Sequence, residues 1–120
     1  MKILICGDRH WSDRKTIRSF IRTLASDTTV IHGAANGADS IAGEEAILAG
    51  LKVISVPAKW AQYGRAAGVI RNRVMLSMNP DLVVAFHNHI EASKGTKDCI
   101  TEANRRGIPT EVKITGRCSK

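Results

Sequence analysis

Five short apolar runs alternate with four helix-like stretches along this chain, and that alternation restricts the fold more than any other feature. The runs are Ile3 to Cys6, Thr29 to Ile31, Lys52 to Val56, Leu82 to Phe86 and Ile108 to Ile114. Strand-length runs separated by helical patterns pair in parallel, with helices covering both faces of the sheet. The expected architecture is therefore α/β in three layers, a parallel sheet of about five strands with helices on both faces. The 120 residues suit one folding unit, expected over residues 1–114, with 115–120 as a flexible polar tail.

The helical stretches have readable ends. The first starts near Asp13, where Ser12 or Asp13 can cap it, and carries Ile17, Phe20, Ile21 and Leu24 at helical spacing. The second runs from about Ala38 to Ala49 and stops at Gly50. The third begins near Arg65 or Ala66 and continues to Asn79-Pro80, and the fourth spans about Thr96 to Arg106 before Gly107. Val56 to Gly64 and His87 to Lys94 read as the two longest structureless segments. Both follow strands, on the side where open α/β sheets bind ligands.

Glycine turns mark where a ligand would sit. His32-Gly33-Ala34-Ala35-Asn36-Gly37-Ala38-Asp39 joins the second strand to the second helix. A strand that turns through glycines into a helix aims backbone N–H groups and the positive helix end at one point, which suits an anion. The pattern recurs at Cys6-Gly7-Asp8-Arg9 and at Ser93-Lys94-Gly95-Thr96, so the three turns suggest one shared crevice. Gly7, Arg9, Gly33, Ala34 and Gly37 are expected to border it, with Gly95 and Thr96 repeating the anion-site logic at the last helix. Asp39, in the first turn of its helix, can bind a ribose hydroxyl or simply complement the helix dipole.

In the stretch Tyr63-Gly64-Arg65-Ala66-Ala67-Gly68-Val69-Ile70-Arg71-Asn72-Arg73, two arginines and an amide enter a half-buried helix. Arginine there can hold phosphate with two hydrogen bonds, and Asn72 can bond a base or ribose. Residues 71 and 73 lie about 200° apart around a helix, so both arginines cannot point the same way. One of them is then a solvated surface charge. Trp11, Trp60 and Tyr63 follow strand ends and can stack on a base or anchor core and loops.

Other chemistries find less support. His87-Asn88-His89, with His10 and His32 elsewhere, lacks the carboxylate or cysteine pattern that completes a metal site, so no metal and no cofactor are expected. His32 can act as acid or base at a strand end, or serve as a hydrogen-bonded structural residue. No Gly-x-Ser-x-Gly elbow, Walker loop or Gly-x-Gly-x-x-Gly after the first strand is present, which sets aside Ser-His-Asp nucleophile, ordinary NTPase and dehydrogenase readings. Eighteen basic against 11 acidic residues leave a net charge of +7, which favours anionic partners. The basic residues are scattered and aromatics make up only 4%, so no stripe of cations and stacking rings points to nucleic acid as the main ligand. Met1 to Cys6 is too short for a signal peptide or membrane span, which suggests a cytoplasmic protein with no membrane partner. Three widely spaced cysteines, Cys6, Cys99 and Cys118, imply no disulfide framework.

Four segments in order, Gly7 to Asp13, His32 to Asp39, Trp60-x-x-Tyr63-Gly64 to Arg73, and Ser93 to Asp98, resemble the YspA-like family of the SLOG superfamily. The resemblance covers nearly the whole chain. It implies a Rossmann-like sheet that binds a nucleotide or nucleotide derivative, for sensing, sequestration or processing. The superfamily also holds the LOG phosphoribohydrolases and the DNA-processing DprA proteins, which imply two alternatives: N-glycosidic-bond hydrolysis and single-stranded DNA binding. LOG enzymes use a Pro-Gly-Gly-x-Gly-Thr-x-x-Glu loop and an arginine on the preceding helix. Arg73 matches that arginine and Gly95-Thr96 the end of the loop, but Cys99 stands where the glutamate would. For hydrolysis the candidate catalytic pair is therefore Arg73 and Asp98, the nearest carboxylate. Analogy with LOG proteins also implies a homo-oligomer.

Overall fold

The computed structural model of the protein describes residues 1–115. Five strands, β1 (Lys2–Gly7), β2 (Thr29–His32), β3 (Lys52–Ser55), β4 (Leu82–Phe86) and β5 (Thr110–Lys113), form one sheet in the order β3-β2-β1-β4-β5. Every neighbouring pair is parallel, with Ile5 opposite His32 on one side and Val84 on the other. The expected five-stranded parallel α/β sheet is thus present. β1 and β4 are buried on both faces, which is why they read as unbroken apolar runs.

Alternation along the central strands divides the core in two. Ile3, Ile5, Val84 and Phe86 face α1 (Arg14–Ile21) and α2 (Ala38–Leu48), meeting Ile17, Phe20, Ile21, Ile41 and Ala42. Leu4, Cys6, Val83 and Ala85 face α4 (Ala67–Leu76) and α5 (Gly95–Arg105), meeting Met75, Leu76, Cys99 and Ala103. Two helices therefore cover each face, as a sheet apolar on both sides requires.

Several element ends differ from expectation for local reasons. Asp13 caps α1, its carboxylate accepting from the Thr16 N–H at 3.2 Å, but the helix stops at Ile21 and Leu24 joins the core from the turn beyond. Val56 to Gly64 is not structureless, since Trp60–Tyr63 forms the one-turn helix α3, where the Lys59 carbonyl accepts from Gln62 and Tyr63. A 3-10 turn at Gly64–Ala66 follows, and α4 begins only at Ala67. It ends at Leu76, before Pro80, because Asn79 adopts a left-handed conformation with φ of 58°. A second 3-10 turn, Ile90–Ala92, breaks the other supposed loop. β5 is shorter than the apolar run around it: Pro109 has no N–H to give the ladder, although its carbonyl accepts from Val83.

Thr115, assigned to the flexible tail, exchanges two hydrogen bonds with Asn88, at 2.7 and 2.9 Å. The rest of that tail, with Cys118, lies outside the described residues. Among the described residues no helix is long and apolar enough to cross a membrane.

Candidate functional site

Strand order reverses between β1 and β4, since β2 and β3 extend the sheet on one side of β1 while β4 and β5 lie on the other. Loops leaving the carboxyl ends of two such strands part from each other and leave a crevice. A cavity of about 500 Å³ opens there. Its walls come from four places: the loop after β1, the turn after β2, the α3–α4 segment, and the β4–α5 connection.

The β1 loop contributes Gly7, Asp8, Arg9 and His10. Gly7 passes so close to β4 and α2 that a β-carbon there would run into the Phe86 carbonyl and the Ala38 side chain. Asp8 holds its own loop, its carboxylate accepting from the His10 N–H at 2.9 Å. Its backbone is also anchored, with N–H to the Phe86 carbonyl and C=O to the N–H groups of Trp11 and Ala38. Arg9 and His10 are exposed at the rim.

The β2 turn is occupied from within. Gly33 N–H donates to the Asp39 carboxylate at 2.8 Å, and Gly33 C=O accepts from Arg71 Nη1 at 2.6 Å. A β-carbon on Gly33 would collide with that guanidinium. Gly37 has φ of 74° and abuts the Asp8–Arg9 backbone, so neither glycine has room for a ligand in the pocket its missing side chain leaves. Burial pushes the Asp39 carboxyl up to about 6, against the opposing pull of the Gly33 N–H, the Arg71 charge and the Ala35 N–H. His32 is buried under Gly43, and its Nδ1 accepts from the Ala34 N–H at 3.0 Å. Burial lowers its pKa, so the ring stays neutral and serves the turn as an acceptor.

Helix α4 aims its two arginines in opposite directions, as their spacing requires. Arg71 lines the cavity and is braced by Gly33 and by Asn72 Oδ1, which accepts from its Nε at 3.0 Å. Buried Asn72 passes that brace on, donating from Nδ2 to the Gly95 carbonyl and to Asp98, each at 3.1 Å. Arg73 turns toward α5, where it pairs with Asp98 at 3.4 Å and Glu102 at 3.7 Å. Glu102 is held down to about 2 by hydrogen bonds from Arg105 and Arg106, with Arg73 adding its charge.

The β4–α5 connection is the open wall. Ser93 Oγ accepts from the Thr96 N–H at 3.0 Å and caps α5, while Lys94, Gly95 and Thr96 line the cavity. Nothing lies within 4 Å of where a Gly95 β-carbon would be. Cys6 and Met75 form part of the floor. The Cys99 thiol beside it and burial both raise the Cys6 pKa, so it stays a thiol rather than a reactive thiolate.

A family model, YAcAr, described as the YspA, cpYpsA-related SLOG family, matches residues 1–63. The chain belongs to that family. Gene 61 protein of Mycobacterium phage D29, to which this family member is similar, is 34% identical over 117 residues, spanning 90% of this chain and 92% of that protein. DNA processing protein A (DprA) from Streptococcus pneumoniae has the same fold, with a TM-score of 0.78 at 19% identity over 92% of this chain. The chain spans about half of that protein, 49% of its length.

Of the residues singled out in the sequence of this SLOG protein, Gly7, Arg9, Asp39, Arg71, Asn72, Gly95 and Thr96 meet at the cavity. Gly33, Ala34 and Gly37 stand behind it as the scaffold of the β2 turn, and Ala35 takes their place at the wall. Arg73 and Asp98 form their pair on the α4–α5 flank, outside the lining. Asp8, Ser93 and Lys94, from the turns read as one crevice, also line the cavity, as do Trp60 and His87 from the two segments placed on the ligand side, while His10 and Met75 are the wall residues that sequence reasoning did not single out. Position was the signal for this wall, since Asp8 and His87 directly follow the two strands that flank the reversal. Trp11 is 5% exposed and packs edge-on against Phe86 at 5.6 Å, so it belongs to the core.

Proposed function

We propose that this SLOG-family chain binds a nucleotide or nucleotide derivative in the β1/β4 cavity through its phosphate and ribose. One observation carries the reading: Arg71, braced on two sides, and the unobstructed Gly95 turn of α5 face the same cavity at the point where strand order reverses. A phosphate set between them meets a fixed guanidinium, the Lys94 ammonium and the positive end of an 11-residue helix. Asp39 and Asn72 are already engaged by the protein, so they shape the site and position Arg71. Ribose contacts then fall to Asp8 and the rim.

Binding, rather than bond cleavage, is the reading that the residues support best. Cys99, at the position the LOG enzymes give to glutamate, is fully buried among apolar side chains. Asp98 is tied to Asn72 and Arg73 on the flank. A second reading, single-stranded DNA, draws on the net charge of +7 and on Arg9 and Lys94 at the rim. Cytoplasmic location and self-association belong to the same proposal, the latter by resemblance to LOG proteins.

Calorimetric titration with nucleoside monophosphates, ADP-ribose, NAD and a short DNA strand tests it, using Arg71→Ala and Arg73→Ala. Loss of a charge-assisted pair to phosphate weakens binding about 10- to 100-fold, and that loss is expected for Arg71→Ala. Arg73→Ala should change affinity by less than about threefold, since its charge is exposed and paired elsewhere. If Arg73→Ala gives the larger loss, the ligand sits on the α4–α5 flank and the cavity reading fails. Binding of DNA alone, with affinity falling steeply in salt, moves the protein to the second reading.

A further inference from the structure

We propose that Trp60 is the base platform of this site, so that the cavity takes a nucleotide by stacking its aromatic base on the indole while Arg71 holds the phosphate. The proposal rests on the nucleotide-binding reading and adds the part of the ligand that gives it selectivity.

Trp60 opens α3 and lines the cavity, yet it is 60% exposed. A single exposed aliphatic side chain needs no explanation, but tryptophan carries a large apolar surface that folding normally covers. Its counterpart Trp11 shows the usual outcome, with its ring against Phe86 and its Nε1–H donated to the Asp13 carbonyl at 2.8 Å. Trp60 has no such hydrogen bond among the described residues.

Its position is fixed relative to the anion site. The point where a Gly68 β-carbon would stand lies 3.5 Å from Trp60 Cη2 and 3.9 Å from Arg71 Nη2. Indole and guanidinium therefore flank one spot on the first turn of α4. A nucleotide offers the matching pair, a planar base and an anionic phosphate joined by a short sugar. α3 keeps the ring in place: the Lys59 carbonyl accepts two N–H groups of its single turn, and Gly64, with φ of 57°, lets the chain reverse into α4. Tyr63, the other exposed ring of α3, is not part of the cavity wall. Stacking does not depend on the base edge, so the platform favours nucleotides over sugar phosphates without choosing strongly among bases.

The test uses the full chain and reads tryptophan fluorescence together with calorimetric affinity. The probes are the four common nucleoside 5′-monophosphates, ribose 5-phosphate and a single-stranded DNA hexamer. Nucleotides should quench the exposed Trp60 emission and bind more tightly than ribose 5-phosphate. Trp60→Ala should weaken nucleotides about 10- to 100-fold and leave ribose 5-phosphate within about twofold, with Trp11 emission unquenched. Trp60→Phe, which keeps a ring, should restore most of the affinity. Quenching by the hexamer alone, lost in Trp60→Ala, supports the platform and assigns its base to a strand. Equal affinity for nucleotides and ribose 5-phosphate, unchanged in Trp60→Ala, overturns the platform while phosphate-ribose binding stands. No binding of any probe overturns both.

Discussion

The turns that lead from β2 into α2 and from β4 into α5 carry the same signature, glycine at the start of a helix, and they end in different states. In the first, the protein occupies its own anion site: Asp8 C=O accepts from the Ala38 N–H at 3.1 Å, the Asp39 carboxylate accepts from the Gly33 N–H, and Arg71 donates to the Gly33 C=O. In the second, Ser93 caps the helix from one side and Asn72 holds the Gly95 carbonyl, but the space where a Gly95 β-carbon would stand is open. A glycine turn is therefore a place where backbone can come close to something, and what comes close decides its role. In the β2 turn that partner is the β1 loop and Arg71. The β4 turn stays open, and the proposed ligand enters there.

The largest expected effect tests the closed turn. Gly37→Ala would place a β-carbon against the Asp8 and Arg9 carbonyls at a residue with φ of 74°. Overpacking and backbone strain each cost about 1–3 kcal/mol, so a loss of roughly 3 kcal/mol or more is expected in urea unfolding. A loss below about 1 kcal/mol would mean that the β1 loop can move off the turn, and the contrast between the two turns would then be lost.

A second effect uses the buried carboxyl of the closed turn. Asp39 has its pKa raised from 3.8 to about 6 by burial, so the folded state holds this proton more tightly than the unfolded chain does. Its contribution is fully present below about pH 4 and disappears as pH rises through about 6. Asp39→Asn removes that dependence while its amide oxygen can still accept from Gly33. The variant should gain on the wild type by on the order of 2–3 kcal/mol between pH 4 and pH 7, measured as the difference between two urea titrations. A difference that stays flat with pH would show that the Gly33 N–H and Arg71 already compensate the buried charge.

The sequence made the sheet legible because Ile3 to Cys6 and Leu82 to Phe86 are strand-length runs apolar on every face, alternating with helical patterns, and a parallel sheet covered on both faces buries such runs. It also showed that Arg71 and Arg73 must diverge, since 100° per residue is a property of any helix. What it could not show is which turn is open. The partners of Gly33 and Gly37 come from Arg71, 38 residues beyond Gly33, and from the β1 loop, and no local pattern encodes such meetings. α3 escaped because four residues are too few to show a period. Trp11 and Trp60 were indistinguishable for the same reason: each follows a strand, and only the tertiary fold puts one against Phe86 and the other at a cavity mouth.

The smallest expected effect on stability falls on the open turn, and it sharpens the contrast most. Gly95→Ala adds a methyl group where no atom lies within 4 Å, in the first turn of a helix. Alanine loses less backbone entropy than glycine on folding, so the change should leave unfolding within about 1 kcal/mol of wild type, on the stabilising side. In the proposed site, however, that methyl group stands where the phosphate approaches the helix end, and nucleotide affinity should fall several-fold even as the fold holds. Stability and binding then move in opposite directions at Gly95, whereas at Gly37 the fold gives way first. Should Gly95→Ala leave nucleotide affinity untouched, the phosphate does not meet α5, and Arg71 must hold it from the α4 side alone.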